Sequence, residues 1–268
     1  MHGRARGREV PGGARALSKA RDQTVANLAE NLDRLEHQIA FACRRAGRRR
    51  EDVELMAVSK TYPAETIAEA ASLGLTLFGE NRVQEFAAKA TDASALREHL
   101  NNPSVRVHLI GHLQSNKAAR AAEIFDAVDS VDSLRLAQRL NEAAAKLDKR
   151  LPILIEVKLS PEETKEGLEP ESPNAAQLLE ALSDLAYLEA RGLMTIAPWG
   201  AEDSVTQACF RSLREWRDRW AAAYPRLNLD VLSMGMSGDF PLAIEEGATR
   251  IRIGTAIFGK RAPYKGPA

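Results

Sequence analysis

Apolar residues recur every three or four positions at Val25, Leu28, Leu32, Leu35 and Ile39, the spacing that lines one face of a helix. The period then changes. "ELMAVSK" (54–60) is a short, nearly continuous apolar run, which predicts a strand buried on both faces, and "PAETIAEAASLG" (63–74) predicts a helix stopped at Gly74. The pair recurs as "LTLFGEN" (75–81) with "VQEFAAKA" (83–90), and as "VRVHLIG" (105–111) with "SNKAARAAEIF" (115–125). Next come the short strand "DAVDSV" (126–131) and a helix through Leu136, Leu140 and Leu147. "PILIEVKL" (152–159) precedes a helix through Leu178, Leu182 and Leu185. "YLEARGLMTI" (187–196) precedes one striped by Val205, Cys209, Leu213, Trp216 and Trp220, whose tryptophans read as core residues. "LDVLSMG" (229–235) and "TRIRIG" (249–254) complete the strands, with a short helix at "FPLAIEEG" (240–247) between them. Eight βα units predict an α/β fold of the closed (β/α)8, or TIM, barrel type with an extra N-terminal helix. The functional groups of such a barrel sit at the C-terminal ends of its strands. A doubly wound open sheet is the alternative.

A length of 268 residues suits one such domain, taken here as residues 23–262. Residues 1–22 are rich in Arg and Gly without apolar periodicity and read as a flexible extension, and 263–268 read as a tail. Lys+Arg and Asp+Glu are both 37, so charge gives no reason to expect nucleic acid or an anionic membrane as partner. The arginines from Arg44 to Arg50 lie where the first helix ends at Gly47, and cations there favour the helix dipole. No stretch approaches the ~18 apolar residues of a membrane span. The start, "MHGRARGREVPGG", lacks the apolar core of a secretory signal. Cys43 and Cys209 lie far apart without metal-type spacing. A cytoplasmic monomer that handles small molecules is the expectation.

Lys60 follows Met56 and Val58 in parity and should therefore point to the barrel mouth. It is either half of a structural salt bridge or a Schiff-base lysine, whose desolvated amine attacks an aldehyde. "SMGMSGDFP" after strand seven places Gly235, Ser237 and Gly238 ahead of a helix, and Gly254 and Thr255 stand between strand eight and the next. Two helix N-termini with free N–H groups at these strands predict a phosphate site, although each motif alone is an ordinary cap. Arg252, between Ile251 and Ile253, points inward if the isoleucines face the helices. There it needs either a bound acceptor such as a pyridine nitrogen or an ion pair with Glu54 or Glu156. An aldehyde-seeking lysine, a phosphate cradle and an arginine between them match the reactive points of pyridoxal 5′-phosphate (PLP). His108 and His112 would stand ~13 Å apart on an extended strand, too far to share a metal. Glu80 and Asn81 either line the mouth or cap the next helix. Nucleotide loops and nucleophile elbows are absent from the sequence.

"AVSKTYP", "FGENRVQE", "HLIGHLQSNK", "RGLMTIAP", "SMGMSGDF" and "RIGTAIFG", in this order between about Gln23 and Lys260, resemble the PLP homeostasis protein family, the YggS/PROSC group. The resemblance implies a fold-type III barrel like the N-terminal domain of alanine racemase, with Lys60 as the Schiff-base lysine. It also implies that Ser237, Gly254 and Thr255 hold the phosphate, that Arg252 faces the pyridine nitrogen, and that Asn81 lies near the ring. One departure stands out: Lys158 occupies a position that is often Asn in the family, while Lys165 and Gly167 keep the pattern. The function so implied is non-catalytic: a PLP-binding protein that buffers or delivers the cofactor, with PLP-dependent apoenzymes as possible recipients, and supports vitamin B6 and amino-acid/keto-acid balance. A PLP-dependent amino-acid racemase is the alternative. It is disfavoured because the chain ends at Ala268, where racemases of this fold continue into a β domain that supplies a second base. A class I aldolase-like barrel is a third reading and predicts a colourless protein.

Overall fold

Strand β8 (Arg250–Ile253) pairs in parallel with β1 (Glu54–Val58), joining Glu54 to Arg250 and Met56 to Arg252, and this pairing closes the sheet into a barrel. The computed structural model describes residues 12–92, 94–160 and 166–259. Between the closing strands lie β2 (Leu77–Glu80), β3 (Arg106–Leu109), β4 (Ala127–Val131), β5 (Leu151–Glu156), β6 (Leu188–Met194) and β7 (Val231–Ser233). Each pairs in parallel with its sequence neighbour, so the closed eight-stranded barrel predicted from periodicity is the observed fold and the open sheet is excluded. Close approach of β6 to β7 requires Gly192, where a Cβ would lie 1.9 Å from the Val231 carbonyl oxygen.

The helices are α1 (Gly12–Arg45), α2 (Ala64–Ser72), α3 (Val83–Asp92), α4 (Ser94–Leu100), α5 (Ala118–Ile124), α6 (Leu134–Lys146), α7 (Pro173–Leu182), α8 (Asp203–Ala223), α9 (Phe240–Glu245) and α10 (Thr255–Phe258). Helix α1 begins inside the 1–22 stretch read as an extension, residues 1–11 lie outside the described residues, and so does the 263–268 tail. Helix α4 was not foreseen, because seven residues are too few to register a period, although Leu96 is fully buried. Ser115–Lys117 form a 3-10 turn rather than the start of α5. Ser133 and Ser172 accept N–H bonds from Leu136 and Ala175 as N-caps of α6 and α7.

Ile251 and Ile253 are fully buried in the main core between barrel and helices, together with Leu35, Ile39, Leu140 and Leu213. Trp220 joins this core, and Trp216 packs against it with ring centroids 5.8 Å apart. Met56, Val58, Leu77 and Ile110 form a second, small cluster. The alternation of β1 and β8 thus sends isoleucines outward and Met56, Val58, Arg250 and Arg252 into the barrel. Cys43 and Cys209 are buried free thiols. No helix among the described residues is long and apolar enough to cross a membrane.

Candidate functional site at the barrel mouth

Lys60 stands two residues beyond the end of β1, and both of its chain neighbours are anchored. On one side the buried Ser59 donates its hydroxyl to Glu80 at 2.7 Å. On the other, Thr61 turns the chain with a φ of 69° and donates its N–H to Glu85 at 2.6 Å. Lys89 of α3 ties these together, bonding Glu80 at 2.9 Å, Glu85 at 2.8 Å and the Ser59 carbonyl at 3.1 Å. Glu80 therefore neither lines the mouth nor caps a helix; it is wholly buried as the centre of this clamp. Burial pushes its carboxyl above the ordinary value, opposed by Lys89 and Ser59.

Lys60 lines a cavity of about 270 Å³ with Asn81, Ile110, Gly111, His112, Glu156, Lys158, Glu166 and Ile196. These residues stand at or beyond the ends of β1, β2, β3, β5 and β6, so the cavity lies at the C-terminal face. Asn81 presses against Gly111, where a Cβ would meet the Asn81 carbonyl oxygen at 2.3 Å. Lys158 is half-buried and donates its backbone N–H to the Leu168 carbonyl, which places the departing residue in the cavity wall. Lys165 lies outside the described residues. Burial pushes the Glu156 carboxyl up to about 7; Arg252 opposes the shift, and Asp132 and Glu166 add to it.

Arg252 is buried and gives two N–H bonds to the Ser233 carbonyl and hydroxyl, at 2.6 and 2.9 Å, and one to the Thr195 carbonyl at 2.8 Å. Burial pulls its pKa down, against the attraction of Asp129, Glu156 and Asp239. The ion pair with Glu54 considered for Arg252 belongs instead to Arg250, which binds Glu54 at 2.8 Å and Asp129 at 3.1 Å. Asp129 also lies 3.0 Å from His108 Nδ1, so His108 is part of a buried network one layer below Arg252. Two residues of register separate the structural arginine from the one nearer the mouth, a distinction that the sequence "RIRI" does not carry.

The two loops after β7 and β8 meet where Ser237 Oγ accepts the Ala256 N–H at 3.4 Å. Gly254 lies over β1, and a Cβ there would come within 3.3 Å of the Val58 carbonyl oxygen. Helix α10 is held from outside by Asn31 of α1, which donates to the Ile257 carbonyl at 2.9 Å, and by Tyr62, which donates to the Gly259 carbonyl at 2.8 Å. Tyr62 follows Lys60 by two residues, so one segment fixes both the lysine and the α10 loop. Lys60 and Asn81 share the cavity; Ser237, Gly254 and Thr255 are not among the residues lining it, and they meet at the neighbouring strand ends. Not foreseen were the Glu80–Lys89–Glu85 clamp, Glu156 in the cavity wall, and a cluster of His112, Asp132 and Glu166. A buried Glu ending a strand, followed by a Glu and Lys four apart on a helix, was the one readable hint of the clamp.

The profile of the alanine racemase N-terminal domain matches residues 31–262, which sets the class of this barrel. The pyridoxal phosphate homeostasis protein of Vibrio cholerae is 43% identical over 238 residues, covering 88% of this chain and 98% of the relative. That of Aquifex aeolicus is 42% identical over 235 residues, covering 88% and 99%. The solved structure of PipY from Synechococcus elongatus with PLP bound is 42% identical, with a TM-score of 0.75, covering 87% of this chain and 100% of that one. The chain belongs to the pyridoxal phosphate homeostasis protein family.

Proposed function

We propose that this protein binds PLP at the C-terminal mouth of the barrel and keeps it available to PLP-dependent apoenzymes, as a cytoplasmic monomer serving vitamin B6 and amino-acid/keto-acid balance. The observation that carries the reading is the clamped Lys60 opening on a cavity of about 270 Å³ at the face where such barrels hold their ligands. The donor set fits the group. A guanidinium has five N–H donors, and Arg252, which does not itself line the cavity, gives three to Ser233 and Thr195, which leaves two for a further acceptor. The Ser237 hydroxyl, which accepts from Ala256, still has its own hydrogen to give to a phosphate, and Gly254 and Thr255 stand at the N-terminal end of α10. When bound, PLP supplies an aldehyde for a neutral amine and an electron-withdrawing ring.

Lys60 would hold the aldehyde carbon through Nζ, with its backbone fixed by Glu80 and Glu85 through Ser59 and Thr61. Asn81, pressed on Gly111, would border the ring. Arg252 would donate to the ring nitrogen, and because a guanidinium cannot accept, that nitrogen must stay unprotonated. An unprotonated ring withdraws electrons weakly, which suits storage better than carbanion chemistry. Relatives at 42–43% identity named for PLP homeostasis support the same choice over racemisation.

A chiral assay of the PLP-loaded protein with alanine, serine and other common amino acids tests it. No enzyme-like turnover is expected. Racemisation at ~1 s⁻¹ or faster, lost in Lys60→Ala, would replace storage by catalysis.

A further inference from the structure

Beside the Lys60 cavity three loops bring together His112 after β3, Asp132 after β4 and Glu166 between β5 and α7. His112 Nδ1 lies 3.5 Å from Asp132 Oδ2 and 3.7 Å from Glu166 Oε2, and one ligand atom from each of the three falls within 4.8 Å of the others. Ligand atoms on a tetrahedral ion with bonds of ~2.0–2.1 Å are about 3.3–3.5 Å apart, so a small inward shift of two exposed side chains would complete the triangle. We propose that His112, Asp132 and Glu166 bind a divalent transition-metal ion of the Zn²⁺ class, with water in the remaining position.

A second observation points the same way. Glu156 is 6% exposed and lines the cavity with His112 and Glu166, yet its carboxylate has no hydrogen bond or close ion pair among the described residues. No buried side-chain oxygen among the described residues lacks a partner, so the Glu156 carboxylate is open to the cavity and to a ligand there. The charged groups of the described residues here are Glu156, Asp132 and Glu166 against Lys60 and Lys158, with Arg252 behind Glu156, and His112 is the nitrogen donor among them. One imidazole and two carboxylates suit Zn²⁺ or Mn²⁺, and three protein ligands leave a position open. A bound ion would join Glu166 to His112 after β3 and Asp132 after β4.

Cobalt(II) is the probe, added to the untagged full-length chain freed of PLP, so that the result does not depend on how Lys60 is used. One equivalent should give visible d–d bands that Zn²⁺ displaces. His112→Ala and Asp132→Asn, each checked for an unchanged melting profile without metal, should each weaken binding by tenfold or more. Zn²⁺ should raise the melting temperature of the parent and leave that of His112→Ala unmoved. Absence of the bands, or bands of equal strength in both variants, would overturn the site and leave the cluster as a surface ion pair.

Discussion

Glu156, at the end of β5, combines burial with nearby like charge, and its carboxyl is pushed up to about 7 from 4.5. Between these values the folded protein holds a proton that the unfolded chain has released. The stability contributed by the protonated form is full below pH 4.5 and is lost as pH rises through about 7. Glu156→Gln is neutral at every pH and should remove this loss, which is on the order of 3 kcal/mol at most. Urea denaturation of both proteins near pH 5 and near pH 8 measures it; parallel changes in the two would mean that Glu156 titrates normally. From sequence Glu156 was visible only as a candidate partner for Arg252. The charge in "ILIEVKL" could be read, but the approach of Asp132 and Glu166 depends on how the loops close over the barrel.

Strands were the most legible elements, because a parallel strand covered on both faces is largely apolar, and short runs such as "ELMAV" and "LPILIE" are too brief for a helix of their own. The connections between elements were less legible. Lys89 lies on α3, nine residues after Glu80, and nothing local shows that the helix returns this amine to the strand end. Lys89→Met should leave the wholly buried Glu80 without its charge partner, at a cost of about 3–5 kcal/mol. A thermal midpoint lower by ~10 °C is expected, with part of the loss recovered by adding Glu80→Gln. An unchanged midpoint would separate α3 from the Lys60 loop.

The α10 loop gives a milder prediction. Ser237→Ala with Thr255→Ala removes two hydroxyl donors but no backbone N–H, so PLP affinity measured by equilibrium dialysis should fall by roughly ten- to a hundred-fold rather than vanish. If affinity is unchanged, the contact of Ser237 with Ala256 is only a cap.

At the scale of the whole molecule, barrel closure brings together residues nearly two hundred positions apart, since Met56 and Arg252 are neighbours only when β8 pairs with β1. The sequence disclosed the groups that local chemistry cannot excuse, a lysine after an apolar strand and an arginine between isoleucines. It did not disclose which of Arg250 and Arg252 is spent on internal ion pairs. The structure assigns Glu54 and Asp129 to Arg250 and carbonyl partners to Arg252. Lys60 is the residue to test. PLP-loaded protein reduced with borohydride and digested should give a single pyridoxyl-modified peptide, carrying the group on Lys60. Lys60→Ala should remain folded, because that half-buried side chain lies outside the core, and it should give no such peptide. Modification of another lysine at full occupancy, or a modified peptide undiminished in Lys60→Ala, would contradict the assignment.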